Sequence, residues 1–500
     1  MTFVSRMTGF VRDLVFASLL GAGTAMDVFV VGFRVPNLFR RLFAEGALSQ
    51  AVVPVLADTH EKTGDAPVKK LFSTFFWTLG GFLLLFCAFC AVEKDVFIRL
   101  FAPGFLASPD KFALAADFLA IAFFYLFFIS MAAACQGMLN VLGHFWVSAA
   151  SPVLLNLVLI GAAFLAARHV PFDTLTLAWG VVAAGALQLI VHFPPLAQRK
   201  FLPGRPGEQW RGLKRIITTM IPALFGMSSA QLSLFLNTAI ASFLVPGSLS
   251  WIYYADRLME FPVGVLGAAL STVFLPALSR ASAAGESRLF SRLFQESLFL
   301  AILSSLLCGA AMVAAPLPLV ETLFGRGAFS GFDAKMTAQA VTAYALGVVP
   351  LVALKVPLAA FFARHDTKTP AKSAFLGLLV TQGANLLLVP AWGHAGLCAA
   401  IALGAWAQMG YLLMRLFRDK VFSFSRRLWL WGMKLGFAFG LSLAFFLLAD
   451  AWWNESFKQL ARIAALGAVL GLGTGAYFAT LWTLGFRPRQ VALSLGIKQI

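Results

Sequence analysis

Seven cationic side chains, Arg6, Arg12, Arg34, Arg40, Arg41, Arg257 and Lys355, fall inside long apolar stretches of this sequence. A cation at mid-bilayer costs roughly 2.5–3.5 kcal/mol, so seven facing lipid would cost on the order of 20 kcal/mol. They must face a hydrated cavity, pair with acids or sit near an interface. The acids within reach are Asp13, Asp27, Glu45, Asp256 and Glu260. Arg41 and Glu45 have i,i+4 spacing and Arg257 and Glu260 i,i+3 spacing, so each pair is expected to meet on a helix. Arg6 and Asp13 share a helix face, and Arg12 lies about 120° round from Arg6. Arg34, Arg41, Glu45 and Lys355 read chiefly as local ion pairs or snorkelling ends. Arg6, Arg12, Arg40 and Arg257 are the candidates for a cavity. A cluster of guanidinium forks matches phosphate or carboxylate, so an anionic ligand is expected. Asp27, Glu45 and Glu260 are secondary candidates for the same cavity.

These residues are carried by a membrane protein. The 500 residues are 60% hydrophobic and only 12% charged, about half the charge of a soluble domain. The apolar runs are helical in length and lack hairpin alternation, which argues against a β-barrel. The expected fold is all-α and polytopic with fourteen spans: 1–22, 25–57, 70–94, 112–142, 146–167, 174–196, 213–242, 251–283, 290–315, 333–363, 371–391, 395–418, 427–452 and 459–485. Pro36, Pro54, Pro262 and Pro276 predict bends in the second and eighth. The net charge of +17 resides largely in alternate short loops. It is therefore read as topogenic, with both termini cytoplasmic, and not as a nucleic-acid surface. Arg6, Arg12 and Asp13 interrupt any apolar core of a cleavable leader.

The chain repeats itself. "ALSQAVVPVLA" (47–57) returns as "ALSTVFLPALS" (269–279), and "LFAPG" (100–104) as "LFGRG" (323–327). Asp110 and Asp333 follow at the latter shift. Each repeat is expected to hold six helices, and an even number gives both the same orientation. The expected organisation is an N-terminal lobe over 1–196, a cytoplasmic linker over 197–212, a C-terminal lobe over 213–418, a final helix pair over 427–485 and a tail over 486–500. Two such lobes around a central cavity are typical of alternating-access transporters.

Other signals are weaker. Five cysteines lie in apolar runs, and Cys87 and Cys90 are read as small fillers instead of a redox pair. The histidines show no metal spacing, so neither metal nor cofactor is expected. "GAGTAM" lacks the third glycine of a dinucleotide loop, and no nucleotide-binding motif implies ATP hydrolysis. Gly432, Gly436 and Gly440, and likewise Gly467, Gly471 and Gly475, form ribbons expected to pack the last two helices together. Trp431 and Trp452 are spaced by about 31 Å of helix, which suits the two membrane interfaces.

"SRMTGFVRDLVFASLLGAG", "DVFVVGFRVPNLFRRLFAEGALSQAVVPVLA" and "SWIYYADRLMEFPVGVLGAAL" closely resemble the MurJ (MviN) family of the MOP exporter superfamily, and the likeness runs the length of the chain. The resemblance implies a transporter, not an enzyme. It implies that lipid II, the undecaprenyl-pyrophosphate-linked peptidoglycan precursor, is flipped from the inner to the outer leaflet of the bacterial cytoplasmic (inner) membrane. It implies substrate contacts from Arg6, Arg12, Asp13, Arg40 and Arg257, with Arg12, Asp13 and Arg257 on the pyrophosphate. It also implies a groove for the polyprenyl tail on 427–485, beside ordinary membrane lipids. Relatives start upstream of the point matching Met1, so Arg6 is expected on a helix lacking its first turn. Some members bind sodium through acids in the C-terminal lobe. Residues 371–410 here contain no Asp or Glu, so that site is not expected. The alternatives are an exporter of another polyprenyl-linked glycan of O-antigen type, a multidrug exporter, whose cavity should be acidic, or a membrane transferase, which would need a poised carboxylate or histidine.

Overall fold

A computed structural model describes the chain apart from residues 1, 42–48, 170–171, 208, 226–228, 422–425, 452, 454–458 and 486–500. Glu45 and Trp452 therefore lie outside the described residues. The described elements are helices: α1 (Thr2–Leu20), α2 (Thr24–Arg40), α3 (Ser49–Thr63), α4 (Asp65–Val92), α5 (Lys94–Phe101), α6 (Pro109–Val141), α7 (Trp146–Ala166), α8 (Thr174–Ile190) and α9 (Phe193–Gln198). They continue as α10 (Trp210–Phe225), α11 (Ser229–Ser242), α12 (Ser248–Ala283), α13 (Ser287–Ala314), α14 (Pro316–Leu323), α15 (Gly331–Ala353), α16 (Lys355–Ala363), α17 (Lys368–Arg418), α18 (Arg426–Ala451) and α19 (Gln459–Thr483). Among the described residues, nine helices are long and apolar enough to cross a bilayer. Where described, the remaining expected spans are helical as well, but shorter or interrupted by charge.

The duplication is visible in the helix starts. α4 and α13, α5 and α14, α6 and α15, and α7 and α17 each begin 222 residues apart. α5 and α14 are eight-residue helices at matching places. Neither was expected, because eight residues are too few for a hydropathy signature of a span. α17 joins two expected spans without a loop. It breaks at Gly393, whose φ of +56° lies in the left-handed region that glycine adopts without steric cost.

The chain forms two compact units. One holds Met1–Ser250 with Gly327–Phe329, and the other Trp251–Arg326 with Ser330–Ile500. Residues 213–250, grouped by the repeat with the C-terminal lobe, cluster with the first unit.

In the first unit α2 packs on α1 and α6 through aromatic edges, with Phe29 edge-on to Phe16 of α1 at 4.9 Å and to Phe118 of α6 at 6.1 Å. Gly32 permits this approach, because a Cβ there would stand 2.2 Å from the Phe118 ring. α10 is tied to α3 by Arg215, whose Nη1 lies 2.8 Å from Asp58 Oδ2. Lys62 reaches the other carboxylate oxygen at 2.6 Å. Hydrogen bonds from Lys62 and then Arg215 hold the Asp58 carboxyl below its usual pKa of 3.8. A lowered folded pKa means the tie is complete above that value and is lost as pH falls through the lower one. Amide exchange in α10 is accordingly expected to rise in acid below about pH 4, and Asp58→Asn should remove that pH dependence.

In the second unit α13, α15 and α17 form the core, and α18 and α19 pack against α13. The last two helices meet, but not through the glycine ribbons. Phe446 of α18 presses on Gly473, where a Cβ would come within 2.1 Å of its ring. Ser442 donates to the Gly473 carbonyl at 3.2 Å. Each of the six ribbon glycines instead faces open space. A stripe of small residues defines a face of a helix but does not say what meets it. Trp431, expected at an interface, packs its ring 4.4 Å from that of Phe299.

Candidate anion site and polar cavity

Arg12 and Asp13 are adjacent on α1 and buried, 6% and 1% exposed. Arg12 folds over its neighbour so that Nε and Nη2 both reach Asp13 Oδ1, at 3.0 and 2.7 Å. Nη1 donates to Asn156 Oδ1 of α7 at 3.1 Å. The Asn156 amide nitrogen is held in turn by the Ser5 carbonyl at 3.3 Å and Thr8 Oγ1 at 3.2 Å. The guanidinium is thus fixed in orientation by a carboxylate and an amide. Asp13 was expected opposite Arg6, but Arg12 has taken that carboxylate and Arg6 is exposed. Side-chain length defeats the helical-wheel argument here, since an arginine reaches sideways across its own turn. Asn156 was missed. Its signal was a lone amide within the apolar run "SPVLLNLVLI". Asn156→Leu is expected to strip one acceptor from a buried guanidinium and cost about 1–3 kcal/mol, read as a lower melting temperature of the detergent-solubilised protein.

Arg40 closes α2, its Nε 2.7 Å from Asn37 Oδ1. Both residues wall a cavity of about 600 Å³ within the first unit, formed by α2, α3, α6, α7 and α8. Gln136, Asn140, Ser151, Gln188 and His192 supply the rest of its polar lining, between Phe33, Tyr125 and Leu155. The volume is in the range of small-ligand sites. Arg34, on the same helix, donates to Thr238 Oγ1 at 3.1 Å, in keeping with a structural role. Arg41 is exposed.

Asp27 does not belong with these cavity residues. It is 1% exposed and accepts four hydrogen bonds. Lys111 Nζ lies at 2.7 Å, Gly247 N at 2.9 Å, Ser250 N at 3.0 Å and Ser250 Oγ at 2.6 Å. It therefore holds the first turn of α12, whose amides lack intrahelical acceptors. Lys111 also stands 4.3 Å above the Phe105 ring. Sequence distance hid this site, since Asp27 and Ser250 are 223 residues apart.

In the second unit the spacing argument holds for Arg257. Its Nη1 is 2.7 Å from Glu260 Oε2, and its guanidinium carbon lies 4.8 Å from the Tyr253 ring centroid. Its side chain is 32% exposed and that of Glu260 52%, so the pair remains accessible. Lys355 is exposed, its stem 3.5 Å from where a Cβ on Gly267 would stand. Among the described residues no group of three or more His, Cys, Asp or Glu could hold a metal ion.

Comparison with known proteins fits this arrangement. The family model described as "Lipid II flippase MurJ" matches residues 16–491. A lipid II flippase MurJ of Burkholderia cenocepacia is 37% identical over 97% of this chain and 96% of its own length. A probable lipid II flippase MurJ of Haemophilus influenzae is 37% identical over 98% and 99%. Among solved structures, a lipid II flippase MurJ in an inward closed conformation superposes with a TM-score of 0.80 at 22% identity, covering 96% of this chain and 98% of that one. An inward-facing multidrug resistance MATE transporter of the MOP superfamily gives a TM-score of 0.66 at 14% identity over 83% and 95%, a likeness of fold alone. The sequence match extends over nearly the full length of both chains, and the chain belongs to the lipid II flippase MurJ family.

Proposed function

We propose that this chain flips lipid II across the bacterial cytoplasmic membrane by alternating access, serving peptidoglycan synthesis. The observation that carries the reading is the full-length family match on a helical membrane fold, with Arg12 buried in α1 and Arg40 in the wall of a cavity. An arginine fork pairs with pyrophosphate oxygens in a way that a drug cation cannot exploit. On this reading Arg12, Asp13 and Arg257 engage the pyrophosphate. Arg12 is held in orientation by Asp13 and Asn156, and Arg6 and Arg40 are further substrate contacts. The polyprenyl tail stays in lipid along the open glycine ribbons of α18 and α19. The two six-helix repeats act as rocking lobes, the last two helices bring the spans to fourteen, and both termini lie in the cytoplasm. The test is leaflet-resolved accessibility of lipid II in cells with and without this protein. Depletion should leave lipid II confined to the inner leaflet. Unchanged outer-leaflet lipid II together with loss of surface polysaccharide would point to another polyprenyl-linked glycan and overturn the assignment.

A further inference from the structure

The helices α4 and α5 and their counterparts α13 and α14 agree on their inner faces. At the shared shift of 222 residues, Phe72 and Phe294, Leu83 and Ser305, Cys90 and Met312, and Ile98 and Val320 are buried in both. The outer face of α13 is buried too, because α18 and α19 cover it. Phe299 and Leu303 pack with Leu435, Ala438 and Tyr477, and Ala310, Ala311 and Ala314 pack with Phe446. Beyond them, Glu321 of α14 receives the Trp453 indole N–H at 2.9 Å and lies 3.8 Å from Arg462 Nη2 of α19. The same outer face of α4 and α5 is bare. Trp77, Gly81, Ala88, Phe89 and Val92 stand at the places of Phe299, Leu303, Ala310, Ala311 and Ala314, and all five are exposed. Val92 is 79% exposed against 1% for Ala314. Leu85 and Phe89 make an i,i+4 ridge, and Gly81 and Ala88 leave hollows beside it, relief of the kind in which helices interlock.

We propose that this face of α4 and α5 docks a transmembrane helix of another membrane protein, one with an aromatic residue at the Trp77 end and a carboxylate at the Arg99 end. The two ends of the face carry the argument. Where Phe299 holds the Trp431 ring at 4.4 Å, its counterpart Trp77 opens on a recess of about 490 Å³ shared with Trp210, which an aromatic side chain fits. Where Glu321 faces an arginine of the covering helix, its counterpart is Arg99, which is exposed. The charges are reversed, so the acid belongs to the partner. Apolar packing in a bilayer discriminates poorly between a helix and lipid tails, so these end groups supply the specificity. The inference rests on the fold and its duplication and not on the flippase reading.

The test is photocrosslinking of the full-length protein in its native membrane, with a photoreactive phenylalanine analogue placed in turn at Leu85, Phe89 and Leu100. Leu386 of α17 is the control, because it and its counterpart Phe164 are exposed in both halves, as a surface that meets only lipid should be. One membrane protein should crosslink at all three positions and not at Leu386, through a transmembrane segment that contains Asp or Glu. Arg99→Glu should lower the yield about tenfold, the effect of one charge-assisted contact. Reversing the partner's acid to arginine should restore it, a result that mere misfolding of the variant does not give. Arg99 is exposed, and accumulation of Arg99→Glu in the membrane is read in the same samples. Crosslinks to lipid alone, to a second copy of this chain, or to proteins captured equally at Leu386 would overturn the proposal. So would a yield that Arg99→Glu leaves unchanged.

Discussion

Arg257→Ala is expected to abolish complementation of a strain depleted of its lipid II flippase, while the variant still inserts and accumulates. Arg257 stands on α12 with its side chain 32% exposed, steadied by Glu260 and the Tyr253 ring. It is held in position yet open to a ligand. A charge-assisted contact of this kind contributes about 1.5–3 kcal/mol, so its loss lowers affinity for the pyrophosphate by about 10- to 100-fold. Arg257→Lys keeps the charge but loses the planar fork, and should restore growth only in part. Normal growth of Arg257→Ala would remove this residue from the site. Replacing Glu260 by Gln should matter less, because it steadies the guanidinium but makes no proposed contact with phosphate.

Asp27→Ala should give the largest loss of stability. It removes four hydrogen bonds at once and leaves Lys111, 9% exposed, without its carboxylate. Breaking a buried pair from one side costs about 3–5 kcal/mol, mostly for the uncompensated charge that remains. The companion Lys111→Met should recover much of that loss, and the difference between the single and double variants measures the coupling. Thermal unfolding in detergent reads both. A melting temperature for Asp27→Ala equal to wild type would show that the start of α12 does not depend on this carboxylate.

These two residues also show where sequence reasoning reaches and where it stops. Arg257 and Glu260 are three apart on one helix, so helical geometry alone brought them together. The partners of Asp27 come from Lys111, Gly247 and Ser250. No periodicity connects residues so far apart in the chain. The same limit separated Arg12 from Asn156, 144 residues away. The polar lining of the cavity comes from α2, α6, α7 and α8, each contributing one or a few amides or hydroxyls to an apolar run. Any one of them alone looks unremarkable on its helix. Helix existence and duplication were legible because hydropathy and recurring words are local or self-referential. The faces of α18 and α19 were not, because a glycine stripe is compatible with contact or with an open surface.

The duplication of helix starts supplies a comparison that the chain carries within itself. The position 222 residues beyond Asn156, on helices α7 and α17 whose starts share that shift, is Leu378. The second copy of the segment thus has the same helix with a hydrocarbon side chain where the first has an amide. The helix does not need an amide at that place in order to exist. Asp333 in the second half caps α15 from its own first turn and receives the Trp251 indole N–H. The two halves share a template of helices and place different polar side chains upon it.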